Sequence, residues 1–424
     1  MVTPDSTQRR WVSTENRVRP EDLTVHDWYR FVLSFPPHLV REYLDNFNLG
    51  PDSLVLDPFC GTGTTLVEAK LRGIPSIGIE ATPMAHFASS VKTTWGIDPQ
   101  RLMTHAASVA ATASSSMTST SKLRSLDPDR QSLLLANSIS PKPLHRMLIL
   151  LDAMHQQYAP DYYQHELLAL AKVLPSEIGN LRFGPEVGVS AQLKDDAPVI
   201  DLWLPAVERM ATDLAEVSAR SSTPARVLQD DARRVSALID SCSVDAVFTS
   251  PPYPNEKDYT RTTRLESVLL GFVASKDDLR AIKHQLVRSN TRGVYKQDDD
   301  DTWIREHPKV ERLAQTIESR RIELGKTSGF ERLYARVTKL YFGGMARHLE
   351  ALRTILKPGA RLGYVVGDQA SYLRVMIRTG ELLAHIAESY GYRLERIDLF
   401  RTRPATATNE LLREEVVVLT WPGW

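Results

Sequence analysis

The sequence predicts an α/β fold: one open sheet of seven strands, parallel except for the last, with helices between the strands and two mainly helical insertions. Three observations carry that expectation. Residues 54–71 read as strand, glycine-rich turn and helix. Residues 244–253, VDAVFTSPPY, run a buried strand straight into a turn with two prolines. Short apolar runs at 75–79, 226–229, 361–367, 393–400 and 415–421 alternate with stretches of helical period.

Taken in order, residues 1–22 are polar with charges of both signs and read as a loose arm. In WYRFVLSFPPHLVREYLDNF, Phe35-Pro36-Pro37 stops one segment, and Leu39, Val40, Tyr43, Leu44 and Phe47 then recur at helical spacing. Leu54-Val55-Leu56 is the first strand, and Asp57-Pro58-Phe59-Cys60-Gly61-Thr62-Gly63-Thr64-Thr65 follows it into a helix. Glycines let a ligand approach the backbone, and the helix N-terminus offers free N–H groups. Pyrophosphate would suit such a turn, but the G-x-G-x-x-G spacing and the P-loop lysine are both missing. Asp57, which opens the turn, repels phosphate and attracts an ammonium group. The second strand, PSIGI, ends in Glu80, where an acidic residue takes ribose hydroxyls. A cationic amino-acid nucleoside satisfies both acids better than a dinucleotide does.

Residues 96–224 form the first insertion. Its stretch 106–125 is a small-residue helix or a poorly ordered connector. Residues 133–157, 166–174 and 203–218 have helical period, with a Pro/Gly-punctuated stretch at 175–198. His145, His155 and His165 share no helical spacing and read as structural. RVLQ is the third sheet strand, closed by Asp230-Asp231-Ala232, where one carboxylate can face a ligand and its neighbour can cap the next helix.

The fourth strand ends in Thr249-Ser250-Pro251-Pro252-Tyr253. Two prolines stiffen the backbone and leave only carbonyl oxygens. The result is a rigid, acceptor-rich ledge beside an aromatic ring. It suits a flat ring carrying an amino group, whose hydrogens Ser250 and the Pro251 carbonyl can accept while Tyr253 lies on its face. Asp258-Tyr259 and Arg261 follow, where a base or phosphate could be held. Residues 276–339 form a second insertion rich in Arg and Lys with interleaved aromatics, which suits a polyanion with exposed bases. The run Asp298 to Asp301 reads as a solvated turn. A helix at 341–356 precedes the fifth strand, and a helix at 380–390 precedes the final antiparallel pair, with 401–413 as its loop.

Composition bounds the partners. Lysine plus arginine and aspartate plus glutamate each number 52, so any basic footprint is local. Cys60 and Cys242 are the only cysteines, which excludes a multi-cysteine zinc site and points to a reducing compartment; both read as small buried residues. MVTPDSTQRRW has no apolar signal core and no run of eighteen apolar residues occurs, so the expected location is the cytoplasm, with no membrane partner.

DPFCGTGTT followed by IGIE, with TSPPY later, resembles the class I S-adenosylmethionine-dependent amino-methyltransferases that modify DNA bases, and SPPY is the form most typical of the cytosine-N4 enzymes. The likeness covers roughly residues 24–95, 225–272 and 345–421. It implies a Rossmann-like class I sheet built from 23–95, 225–275 and 340–424, and S-adenosylmethionine as cofactor. It implies that Asp57, Pro58, Phe59, Gly61, Gly63, Thr64, Thr65, Glu80 and Thr249 bind that cofactor, with Asp231 at the adenine amino group. Ser250, Pro251, Pro252 and Tyr253 would be catalytic, acting on the N4 amino group of a cytosine flipped from double-stranded DNA. Arg261, Arg288, Arg292 and Arg305 are the candidates for holding DNA, with no metal involved. A cognate restriction or defence nuclease is a partner such enzymes imply, and the oligomeric state stays open. Three rival readings are adenine-N6 methylation, guanine-N2 methylation of tRNA or rRNA, against which Ser250 counts, and a nucleic-acid-binding module with structural S-adenosylmethionine. Cytosine-C5 chemistry is disfavoured, because it would need a cysteine nucleophile after a strand, whereas Cys60 lies within the cofactor turn and Cys242 precedes the fourth strand.

Overall fold

A computed structural model describes residues 18–29, 34–119, 122–184, 187–404 and 411–424. Most of the expected N-terminal arm lies outside these. The sheet consists of β1 (Val55–Asp57), β2 (Ser76–Ile79), β5 (Ala225–Leu228), β6 (Val244–Thr249), β7 (Leu356–Gly367), β8 (Arg393–Pro404) and β9 (Leu411–Thr420), while β3 (Leu181–Phe183) and β4 (Val187–Val189) form a separate hairpin. Across the sheet the order is β5-β2-β1-β6-β7-β9-β8. β9 runs antiparallel to both neighbours and every other pairing is parallel. This is the class I methyltransferase sheet that the sequence predicts.

From β1 the chain moves outward through β2 to β5, then returns to β6 on the other side of β1. Loops that leave the carboxyl ends of β1 and β6 therefore diverge, opening a crevice at the switch point. Leu56 pairs with Val247, so Asp57 and Thr249 sit at the same edge. β6 is buried at every position but Asp245, as a strand covered on both faces must be.

One face is covered by the helix Pro37–Asn46, whose Leu39, Val40, Tyr43 and Leu44 pack on Val55, Ala246 and Phe248. The other face carries the helices Tyr334–Leu352 and Thr379–Ser389, packed on Val244, Val247, Leu362 and Tyr364. The first insertion folds as the helices Pro99–Ser119, Pro141–Gln156, Tyr163–Val173 and Val199–Val217. These share one core with Val67, Met84 and Ala88 of the sheet layer, so the insertion is a further layer on the same molecule. The alanine-rich stretch is a regular helix because Ala106, Val109, Ala110 and Ala113 fall on one buried stripe.

Several boundaries differ from expectation. The hairpin β3–β4 sits inside the Pro/Gly-punctuated stretch, too short to show a period. The long helix before β7 begins at Tyr334 and ends at Leu352. Cys242 is exposed, not buried; it turns the chain into β6 with a φ of 49°.

Candidate active site

The two turns meet. Thr249 Oγ1 at the end of β6 donates to Asp57 Oδ1 at the end of β1, 2.6 Å away. Asp57 Oδ1 also accepts the Phe59 N–H at 3.2 Å. Asp57 Oδ2 is buried and has no hydrogen-bond partner among the described residues. Burial pushes this carboxyl up to about 6, against the lowering effect of the Thr249 and Thr65 hydroxyls and the Phe59 N–H.

Beside it opens a cavity of about 670 Å³, within the range that takes a nucleoside and a base. Pro58, Phe59, Gly61, Thr64, Glu80 and Asp231 line it, as do Ser250, Pro251, Pro252 and Tyr253. Asp57, Gly63, Thr65 and Thr249 stand behind that wall. Gly63 caps the helix Thr64–Leu71 with φ +86°, and a Cβ there would press on Ser89. Thr65 Oγ1 donates to the Phe248 carbonyl at 3.3 Å. Thr249 acts on the cavity through Asp57.

Glu80 accepts from Gly61 N at 3.0 Å, which ties β2 to the glycine turn, and from Thr82 N and Oγ1 at 2.7 and 2.6 Å. Burial raises its carboxyl, those hydrogen bonds opposing. The donor set fits S-adenosylmethionine on this structure's own evidence: Glu80 in the wall across the turn, a backbone without a side chain at Gly61, and directly behind that wall the buried, unpartnered Asp57 Oδ2, whose charge a bound ammonium would offset.

Asp231 differs from expectation. It accepts the Arg233 N–H at 2.9 Å as an N-cap, and both its oxygens grip the Arg233 guanidinium. Asp230 also lines the cavity; its Oδ1 accepts Asp231 N at 2.7 Å and Arg234 Nη1 at 3.1 Å. The cap that the sequence left to the neighbour falls on Asp231.

On the ledge, Ser250 Oγ donates to the Val365 carbonyl at 3.0 Å. With its hydrogen committed to β7, the hydroxyl has only lone pairs to offer elsewhere. Tyr253 N donates to Tyr259 Oη at 3.2 Å, fixing the turn. Burial, Glu414 and Tyr259 hold the Tyr253 phenol well above its ordinary range, against Ser250 and Arg401, so it stays neutral.

Sequence reasoning missed part of the wall. Arg401, Arg403 and Glu414 of the β8–β9 pair line the cavity, and Glu414, 7% exposed, is clamped by both arginines. An acid set at the mouth of an apolar strand was the signal. Gln285, Leu286 and Val287 of the second insertion also line the cavity. That insertion is fastened there by Asp300, which pairs with Arg233 and, at 3.3 Å, with Arg347.

The acidic run is therefore no solvated turn. Arg288, expected to hold DNA, is buried against Asp298 at 2.8 Å and donates to the Lys283 and Leu286 carbonyls. It has no freedom to reach a phosphate. Arg292 and Arg305 are exposed, and Arg261 is half-buried.

Residues 5–88 match the family of N6/N4 methyltransferases described as DNA methylase. The chain is 24% identical to the Type II methyltransferase M.BsoBI of Geobacillus stearothermophilus, over 92% of this chain and 83% of that protein. It is 22% identical to the Type II methyltransferase M.AvaI of Nostoc sp., over 96% of this chain and 86% of that protein. Among solved structures, the rRNA methyltransferase aviRa from Streptomyces viridochromogenes aligns at 11% identity over 96% of this chain and 94% of that one, with a TM-score of 0.34. The fold stands on its strand order. Sheet, site and sequence matches together define a class I methyltransferase. The protein is an S-adenosylmethionine-dependent DNA methyltransferase of the N6/N4 amino class.

Proposed function

We propose that this enzyme methylates the exocyclic N4 amino group of a cytosine flipped out of double-stranded DNA, at a defined site, as a Type II methyltransferase. The Type II reading is supported by the two relatives aligned over nearly the whole chain. The cytosine reading rests on one observation. Ser250, not a carboxylate or amide, precedes the two prolines, and its hydroxyl is committed as a donor to Val365.

An exocyclic amino group is a poor nucleophile, because its lone pair is delocalised into the ring. Ser250 Oγ and the Pro251 carbonyl would accept its two hydrogens, favouring a pyramidal nitrogen and aiming its lone pair. Positioning of this kind lowers a barrier by roughly 7 to 11 kcal/mol, enough to carry most of the rate without a strong base. Tyr253 would stack on the base, offsetting the few kcal/mol of extrusion. Bound S-adenosylmethionine supplies the activated methyl group. Asp57, with Thr249 behind it, would hold its ammonium, Glu80 its ribose, and Asp230, which lines the cavity, its adenine amino group, with Pro58, Phe59, Gly61 and Thr64 shaping the turn. Arg292 and Arg305 stay as candidate DNA contacts, and we place the work in the cytoplasm.

Incubation with labelled S-adenosylmethionine and duplex DNA, then nucleoside analysis, tests this. N4-methylcytosine is expected. N6-methyladenine would overturn the choice of base, and label only in RNA would overturn the choice of substrate.

A further inference from the structure

A second cleft, of about 520 Å³, adjoins the active site. Its walls are the segment just after the ledge and the helix Lys276–Gln285. The short turn of chain between them is two-sided. Tyr259 and Thr263 line the catalytic cavity, while Arg261 and Arg264 line the cleft.

Charge on the cleft is one-sided. Lys276, Arg280 and Lys283 join the two arginines, and Asp258 is the one carboxylate among the lining residues. Asp258 is already engaged: Lys283 Nζ lies 2.9 Å from Oδ2, and Thr260 N and Oγ1 donate to Oδ1 at 3.1 and 2.7 Å. Arg264 spends its donors on uncharged oxygens, those of Thr260 and the Leu133 carbonyl. Arg261 Nε is buried without a hydrogen-bond partner among the described residues. Neither arginine makes an ion pair among those residues. Burial and the neighbouring Arg261 pull the Arg264 guanidinium down, which Asp258 only partly opposes. Two partly desolvated guanidinium groups without a counter-ion favour an anion that can accept several N–H bonds at once.

We propose that this cleft takes backbone phosphates of the DNA strand carrying the target base, next to the point where that base leaves the stack. The inference rests on the DNA reading above and deepens it. Continuity selects the occupant: one short segment, residues 259–264, gives alternate side chains to the base pocket and to the cleft, so a strand whose base enters one has its backbone at the other. Phosphate contacts of this kind set register and orientation and carry no sequence information.

The test is the salt dependence of duplex binding by the full chain, wild type against the double variant Arg261→Gln, Arg264→Gln. Each lost phosphate contact lowers the slope of log K against log salt by about 0.9. The pair should lower it by roughly 2 and weaken binding on the order of fifty-fold at 0.1 M salt, equally for cognate and non-cognate duplexes. S-adenosylmethionine affinity should be unchanged. Should Arg264 prove necessary for folding, Lys276→Gln with Arg280→Gln, both exposed, is expected to lower the slope in the same sense. An unchanged slope in a folded variant overturns the proposal, and so does a parallel loss of cofactor affinity. If wild type binds no duplex at all, the DNA reading falls with it, which separates that failure from failure of the cleft alone.

Discussion

Thr249 Oγ1 and Asp57 Oδ1, 2.6 Å apart across 192 residues of chain, join the two halves of the site. One residue ends the strand that presents the acceptor ledge, and the other opens the glycine turn. Parallel pairing of β1 with β6 makes this contact unavoidable, since both strands leave the sheet at the same edge. The bond also leaves the carboxylate with one committed and one open oxygen.

Asp57 should make cofactor binding pH-dependent. Its carboxyl is raised to about 6 by burial. For an acid raised on folding, the cost of the ionised form is absent below the unfolded value and fully present above the folded one. Above pH 6 that cost is on the order of 3 kcal/mol, and a bound ammonium would offset it. Affinity for S-adenosylhomocysteine, read by calorimetry, should therefore fall about tenfold per pH unit below about 6. Asp57→Asn should bind weakly with a flat profile.

Ser250→Ala removes an acceptor without touching the cofactor turn. We expect kcat to fall roughly 100-fold, the scale seen when one preorganised transition-state hydrogen bond is deleted. Cofactor affinity should be unchanged in the same titration. A fall in both would make Ser250 a structural strut for β7 through Val365.

Arg288 and its exposed neighbours should behave differently. Arg288→Ala strands Asp298 in the interior, which costs about 3–5 kcal/mol and should appear as a lower unfolding midpoint. DNA affinity measured below that midpoint should hold. Arg292→Gln with Arg305→Gln should leave the midpoint in place and weaken DNA binding.

Gly343 lies where the helix Tyr334–Leu352 meets Asp300; an added Cβ would overlap the Asp300 carbonyl. Backbone cannot yield as a side chain can, so Gly343→Ala should cost about 3 kcal/mol in denaturant unfolding. The loss should loosen the segment that Asp300 anchors, measured as faster hydrogen exchange over residues 285–304.

Much of the sheet was legible because its cues are local. A continuous apolar run, a glycine turn and paired prolines report on residues next to one another, and the strands fall within a few residues of where periodicity puts them. The hairpin β3–β4 escaped for want of length. Arg288 was misread because sequence shows a charge but not its exposure. Asp298 and Asp300 were misread for the same reason, since their partners Arg233, Arg288 and Arg347 are chosen by helix packing. Asp231 turned out to be the cap, though both it and Asp230 line the cavity, because backbone direction, not composition, decides which of two adjacent carboxylates meets the free N–H groups of the next turn.

By itself the sequence determined the chemistry available: an acid before glycines, acceptors on a stiff ledge, and an α/β sheet to carry them. Only the tertiary structure decided which side chains reach the cavity and which stand behind it, and that Glu414 and residues 285–287 complete its wall. The reason is that turn chemistry and strand pattern are fixed by near neighbours, whereas exposure and ion pairing depend on which distant surfaces close-pack against each other.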